Sequence, residues 1–488
     1  MSEEGLGTRA ARGAAQTIGG QGVKVLIQLA SVIVLARILS PADYGLLAMV
    51  AAIMGVADLF RDFGLSSAAV QAKTLSTHQR DNLFWLNTAL GLVLTIIIFL
   101  AAPLVADIYH QPALIPITHA LSLSFLINGI STQYRADLNR HLKFSRLALV
   151  DIIAAAVALG AAITAATLGA GYWSLVVQQL VLAGVMMTLV MVAAKWLPRR
   201  PRNVSMNGMI RFGWHLVAIQ MVTYVSYNTD AFVIGVRFGA GPLGLYNRAF
   251  QLLTMPLTQA RSAASVVALP VLAKLQEEKD RFVEFVLHGQ LALGYTLVTV
   301  MGGVAGVALP ITALFLGGKW LALEPVMVLL AIAGAFQTLA FVGYWVYVSL
   351  GLTRPLLHYS MVESVVTIIC IVVGSQGGIV GVAAGIAVAQ ALNWPASLWW
   401  LSRCSGLPMR RLYGSAGRIM AVSIAVGLAT HVVSLLMAHA QPIAAVGTAI
   451  VAALAVIALA GLVIPAVRRD LAGLAWISRR ALQRPGVR

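Results

Sequence analysis

Long apolar runs separated by short polar or basic stretches organise this chain. Fourteen of them approach or exceed the roughly 20 mostly apolar residues a helix needs to cross a bilayer. They are 17–37, 44–60, 83–104, 113–132, 148–169, 172–194, 208–236, 246–272, 285–316, 323–350, 355–375, 378–402, 417–437 and 443–466. The runs are far longer than barrel strands and do not alternate, so the pattern predicts an all-α polytopic membrane protein. Two runs, 208–236 and 246–272, are unusually polar for spans. Two connecting stretches, 133–147 (QYRADLNRHLKFSRL) and 468–488, place apolar side chains between Arg and Lys, as helices in the membrane interface do; the alternative is retention charges plus packing.

Composition agrees with this pattern. Of 488 residues 59% are hydrophobic and 10% charged, with mean hydropathy +0.86. A soluble protein carries about 25% charged residues, so little of this surface faces water. Disorder needs low hydrophobicity and is excluded. The net charge of +17 invites a nucleic-acid reading, but the placement of the charges explains it otherwise. With a cytoplasmic N-terminus, 28 of the 34 Lys and Arg fall in cytoplasmic segments or at the cytoplasmic ends of spans, as the positive-inside rule requires. Removing one span would invert every later loop and destroy the bias. Both termini are therefore expected in the cytoplasm, and nucleic acid is not an expected partner. Residues 1–16 are polar, with Glu3, Glu4, Arg9 and Arg12, so no cleavable signal peptide is expected. Cys370 lies in an apolar run and Cys404 in a basic loop, which gives no disulfide framework.

A weak internal echo links IVLARILSPADYGL (33–46) with AFVIGVRFGAGPLGL (231–245); each ends one helix, turns through small residues and starts the next. A basic loop separates six spans from eight, and duplicated halves are a common transporter plan. The expected organisation is an N-terminal lobe 1–194, a cytoplasmic basic linker 195–207, a C-terminal lobe 208–402, and two additional helices with a basic amphipathic tail over 403–488.

Six stretches, in order, carry a family resemblance: LARILSPADYGLLAMV (35–50), DFGLSSAAVQ (62–71), LKFSRLALVDI (142–152), YNRAFQLLTMPL (246–257), LPVLAKLQ (269–276) and LGGKWLALEPVMVLLA (316–331). From about residue 10 to 465 the chain resembles the polysaccharide transporter family. These Wzx-type flippases belong to the multidrug/oligosaccharidyl-lipid/polysaccharide exporter superfamily, and the likeness is strongest to the exporters of colanic acid-like exopolysaccharides. The resemblance implies two six-helix lobes in a V plus two C-terminal helices, in the bacterial inner membrane. It implies alternating-access transfer of an undecaprenyl-diphosphate-linked oligosaccharide from the cytoplasmic to the periplasmic leaflet. A polysaccharide polymerase and a chain-length regulator are the implied partners of a functional monomer.

Polar groups inside the spans supply the chemistry. In the first span Gln21, Lys24, Gln28 and Ser31 recur at three- and four-residue spacing, so they share one face. In the eighth Asn247, Gln251, Thr254, Thr258, Arg261 and Ser265 do the same, and the seventh carries Gln220, Tyr224, Tyr227, Asn228 and Asp230. A charge at the bilayer centre costs roughly 2.5–3.5 kcal/mol, so such faces are expected to line a water-filled cavity. The resemblance assigns these same helices to the lobe interface.

Lys24 and Arg261 suit a diphosphate, Arg by bidentate pairing and Lys as a point charge. Arg61 is the candidate contact at the cytoplasmic entrance, and Gln21, Gln28, Tyr224, Tyr227, Asn228 and Gln251 are candidates for sugar contact or cavity lining. The alternatives are snorkelling for Lys24 and a retention charge paired with Asp58 or Asp62 for Arg61. Asp230 and Glu363 could carry a coupling H+ or Na+. Their structural alternatives are a salt bridge with Arg37 or Arg237, and a hydrogen-bonded anchor with His358 or Thr367. No other cofactor and no metal is expected, since nine His and two Cys form no ligand spacing and no Walker or GxSxG motif occurs. Rival readings are a multidrug exporter of the same superfamily, a glycan polymerase or ligase, for which the outer loops are too short, and a structural scaffold.

Overall fold

A computed structural model describes residues 22–62, 76–201, 221, 224 and 227–483, and its described residues contain helices and no strands. In chain order the helices are α1 (22–38), α2 (Pro41–Asp62), α3 (Thr77–Tyr109), α4 (Leu114–Arg140), α5 (Phe144–Thr167), α6 (Trp173–Ala194), α7 (227–238) and α8 (Ala240–Lys274). There follow α9 (Lys279–Gly306, with a π-turn at Gly294–Val298), α10 (Ala308–Phe315), α11 (Glu324–Ser349), α12 (Thr353–Gly374) and α13 (Gly378–Ser405). The chain closes with α14 (Arg410–Leu436), α15 (Pro442–Val463) and α16 (Pro465–Gln483).

Ten helical stretches of the described residues are long and apolar enough to cross a membrane, and the stretch Thr353–Ser405 holds both α12 and α13. The polar side chains along α8 lower its hydropathy, and it is not among the ten. The chain is a multi-pass all-α membrane protein.

Local signals explain the helix ends. In the SPAD turn Ser40 caps α2, Pro41 takes the first helical position, and Asp43 reaches back: Ser40 Oγ donates to Asp43 Oδ2 at 2.6 Å and Ser40 N–H to the same oxygen at 2.9 Å. Ser76 and Gln79 build the same reciprocal cap on α3, at 3.1 and 3.0 Å.

Over 133–147 the structure shows the packing alternative and no separate interfacial helix. α4 continues through Arg140, residues 141–143 turn with Leu142 left-handed (φ 55°), and α5 begins at Phe144. Tyr134 and Leu138 belong to a buried cluster with Phe84, Val150 and Val190, so their apolar face is spent on the protein interior.

The chain divides into two compact units, residues 1–247 and 248–488. In the first, α3 and α4 pack most extensively, followed by α5 with α6 and α4 with α6. Gly91 and Gly129 permit the α3–α4 contact: a Cβ on Gly91 would stand 2.6 Å from the Phe125 carbonyl oxygen, and one on Gly129 2.6 Å from that of Asn87. Small residues that let backbones approach are the usual means of helix packing in lipid, where apolar burial gives no driving force.

The two halves of the sequence echo also meet within this unit. A Cβ on Gly45 would overlap the backbone of Ala240, and one on Gly244 that of Pro41, a reciprocal contact between the α1–α2 and α7–α8 turns. In the second unit α13 packs on α11 and α12, and α9 packs on α14. Its core gathers Trp345 and Val346 of α11, Leu398 and Leu401 of α13, Phe282 and Val286 of α9, and Leu272 of α8.

Candidate functional site

The first-span stripe of polar residues is only partly as expected. Gln21 lies outside the described residues, as does Gln220. Lys24 is half-buried, and its Nζ stands 3.6 Å from Asp151 Oδ2 of α5. Ser31 Oγ accepts from Gln178 Nε2 of α6 at 2.7 Å, and Gln28 is half-buried. Lys24 and Ser31 therefore face neighbouring helices of their own unit, where the spacing predicted the lining of a cavity. The partner of Lys24 is a carboxylate, which counts against the phosphate reading of this residue and differs from snorkelling.

Asp151 also binds Arg135 of α4: Nη1 donates to Oδ1 at 2.6 Å and Nη2 to Oδ2 at 3.4 Å. Arg135 Nη1 also lies 3.2 Å from the sulfur of Met186 on α6. Lys24, Arg135 and Asp151 thus form one cluster from three helices, with the carboxylate between two cations. The sequence reading missed Asp151, although an aspartate within the apolar run 148–169 is a signal in its own right.

Arg61 Nε pairs with Asp58 at 3.1 Å across one helical turn, which is the retention-charge alternative. Both side chains are partly exposed, at 27% and 48%, and a pair so placed adds little stability. The Tyr224 hydroxyl donates to the carbonyl of Ala52 at 3.0 Å, tying this helix to α2, and Asn228 Nδ2 donates to the Tyr224 carbonyl at 2.9 Å. Tyr227 is 64% exposed. Asp230 is buried and accepts from the Tyr246 hydroxyl and the Ala231 N–H, which joins α7 to the start of α8.

In the second unit Arg261 is 7% exposed. Its Nη2 donates to Gln337 Oε1 of α11 at 3.1 Å, and its guanidinium lies 5.3 Å from the centre of the Phe341 ring. Leu253, Leu257, Ala268 and Leu272 form the buried face of α8, and Arg261 sits where that face meets the polar stripe. Gln251 and Thr254 of the stripe are half-buried, whereas Thr258 is exposed. One turn on, Ser265 Oγ donates to the Arg261 carbonyl and accepts from Trp345 Nε1 at 2.8 Å, which fixes α8 against α11. Gln337 and Phe341 carry no distinguishing spacing in α11, so sequence gave no route to them.

Glu363 of α12 accepts from Asn393 Nδ2 of α13 at 3.3 Å, and the Asn393 carbonyl accepts from the Tyr359 hydroxyl at 2.9 Å. The sequence reading had named His358 or Thr367 as its hydrogen-bond partner; the observed one comes from the adjacent helix. Among the described residues no group of three or more His, Cys, Asp or Glu side chains could hold a metal.

Arg261 combines depth, permanent charge and a cradle that fixes the guanidinium plane, which suits it to bind a phosphate oxygen pair. The Lys24 cluster carries two cations against one anion.

Comparison with known proteins places this geometry in context. The model of a family described as polysaccharide biosynthesis protein matches residues 34–325. The lipopolysaccharide biosynthesis protein WzxC of Escherichia coli (strain K12) is 27% identical, over 75% of this chain and 75% of its own length. The teichuronic acid biosynthesis protein TuaB of Bacillus subtilis (strain 168) is 26% identical, over 78% of this chain and 80% of its own length. Among solved structures the lipid II flippase MurJ, in an inward closed conformation, has a TM-score of 0.69 at 14% identity, covering 90% of this chain and 97% of that one. At that identity the likeness shows a shared fold.

Proposed function

This chain belongs to the polysaccharide biosynthesis protein family, and from that premise we propose that it is a flippase for lipid-linked oligosaccharides. It takes an undecaprenyl-diphosphate-linked repeat unit from the cytoplasmic leaflet and delivers it to the periplasmic leaflet by alternating access, for exopolysaccharide or lipopolysaccharide synthesis. The protein is a transporter and not an enzyme, in keeping with its curated relatives. The names of those relatives concern lipopolysaccharide and teichuronic acid, and MurJ is named a lipid II flippase.

The observation that carries the diphosphate reading is Arg261, buried in a helix of membrane-spanning length and held by Gln337 and Phe341. A buried guanidinium is costly in a membrane, and an anionic substrate gives it a use. Lys24, and Arg61 toward the cytoplasmic end, are the accessory cations. Gln21, Gln28, Tyr227 and Gln251 are the sugar-contact candidates. Tyr224 and Asn228 join them through their ring and side-chain oxygen, since their hydroxyl and amide N–H groups bond backbone carbonyls. Glu363 is the better placed of the two acids to bind a coupling H+ or Na+, because among the described residues one hydrogen bond reaches its carboxylate, whereas both oxygens of Asp230 already accept one. The positive-inside bias supports an inner-membrane location with both termini in the cytoplasm.

The test is Arg261→Ala in a strain lacking the native protein, scored for inserted protein and for lipid-linked repeat units in each leaflet. Normal insertion with repeat units trapped on the cytoplasmic side is the expected result. Normal export would remove the ligand role of Arg261. A deletion strain that exports its polysaccharide normally but becomes drug-sensitive would replace the flippase with a multidrug exporter.

A further inference from the structure

Asp151 has no part in the function proposed so far. It lies two turns inside α5, about 10 Å along the helix axis from its start. The residue is 7% exposed, yet two cations reach it from two other helices. They hold it unequally. Arg135 grips both carboxylate oxygens, at 2.6 and 3.4 Å, whereas Lys24 Nζ stands 3.6 Å away, beyond hydrogen-bond length.

One guanidinium in two-point contact already compensates a buried carboxylate, so the second cation is surplus to what burial of Asp151 requires. Lys24 is held by charge alone. Its ammonium has three donors, and a diphosphate offers about two negative charges at full hydrogen-bond distance, a better bargain than a shared carboxylate.

We propose that Asp151 is a positioning residue that parks Lys24 between transport cycles, holding the ammonium where a phosphate will later be bound and yielding it to the incoming diphosphate. Arg135 keeps the carboxylate compensated while Lys24 is away, so the exchange leaves no bare buried charge. This rests on the reading of Lys24 as a phosphate ligand. The consequence is a deliberate weakening. Asp151 competes with the substrate for Lys24, which shortens the time that the diphosphate stays bound and favours release after the carrier has turned.

The experiment measures the Kd of inorganic pyrophosphate for the full-length protein in nanodiscs by calorimetric titration. Asp151→Asn should tighten binding about tenfold, a normal size for a coupling between two groups. The double variant Asp151→Asn with Lys24→Gln should bind no better than Lys24→Gln alone. Arg135→Lys loosens the grip on Asp151, leans the carboxylate toward Lys24, and should weaken binding. It carries the test, with opposite sign, if Asp151→Asn does not fold. A Kd unmoved or weakened in Asp151→Asn, or a gain that survives loss of Lys24, would overturn the inference. Arg261→Gln separates the two readings: if it weakens binding while Asp151→Asn changes nothing, the phosphate site stands and the parking role falls. If no variant, nor the native protein, binds pyrophosphate, both fall.

Discussion

Lys24 and Arg261 are both expected from the sequence to meet a diphosphate, one on each polar stripe, and their surroundings are unlike. Lys24 reaches a carboxylate already held by Arg135, in a cluster that ties α1, α4 and α5 together. The contacts of Arg261 include an amide and an aromatic ring, Gln337 and Phe341 of α11. A charge taken out of water needs compensation, and the two regions supply it differently. A carboxylate neutralises and builds structure, at the expense of attraction for a second anion. A neutral amide and a ring orient a guanidinium and do not themselves neutralise it. The first region should therefore matter to folding as well as transport, and the second chiefly to transport.

The largest effect that would test this contrast is on stability. Arg135→Ala leaves Asp151 buried with only the distant Lys24, and should cost about 3–5 kcal/mol in thermal or denaturant unfolding of the protein in nanodiscs. A cost near that of an exposed pair would show that the cluster is structurally idle. Next is Arg261→Ala, expected to lower export per inserted molecule about thirtyfold or more, from a loss of about 2 kcal/mol or more on removing one partner of a desolvated charge contact. Its melting temperature should move far less than that of Arg135→Ala, and an equal shift would erase the distinction. Gln337→Ala should lower export about tenfold through loss of guanidinium orientation, about 1.5 kcal/mol for a hydrogen bond to a charged group. The smallest change is Lys24→Gln, which should alter stability by less than about 1 kcal/mol because the contact is long and partly exposed.

The sequence carried the boundaries well where a local cause sets them. The SPAD cap at Ser40 and Asp43 and the left-handed glycines Gly169 and Gly171 before α6 are written in neighbouring residues. It left two readings open at 133–147, where an alternation of basic and apolar side chains looks the same on an interfacial helix as on the inner end of a packed one. Only the neighbours of Tyr134 and Leu138 distinguish the two.

By itself the sequence determined that this chain lives in a membrane as many helices, and that buried basic groups on α1 and α8 need a purpose. Those conclusions depend on hydropathy and on 3.6-residue spacing, both properties of consecutive residues. Tertiary structure alone decided which partner each charge finds. Asp151 lies 127 positions from Lys24, and Gln337 lies 76 from Arg261, so helix packing and not spacing brings them together. Electrostatic energy depends on distances of a few ångströms, and no run of consecutive residues records those distances.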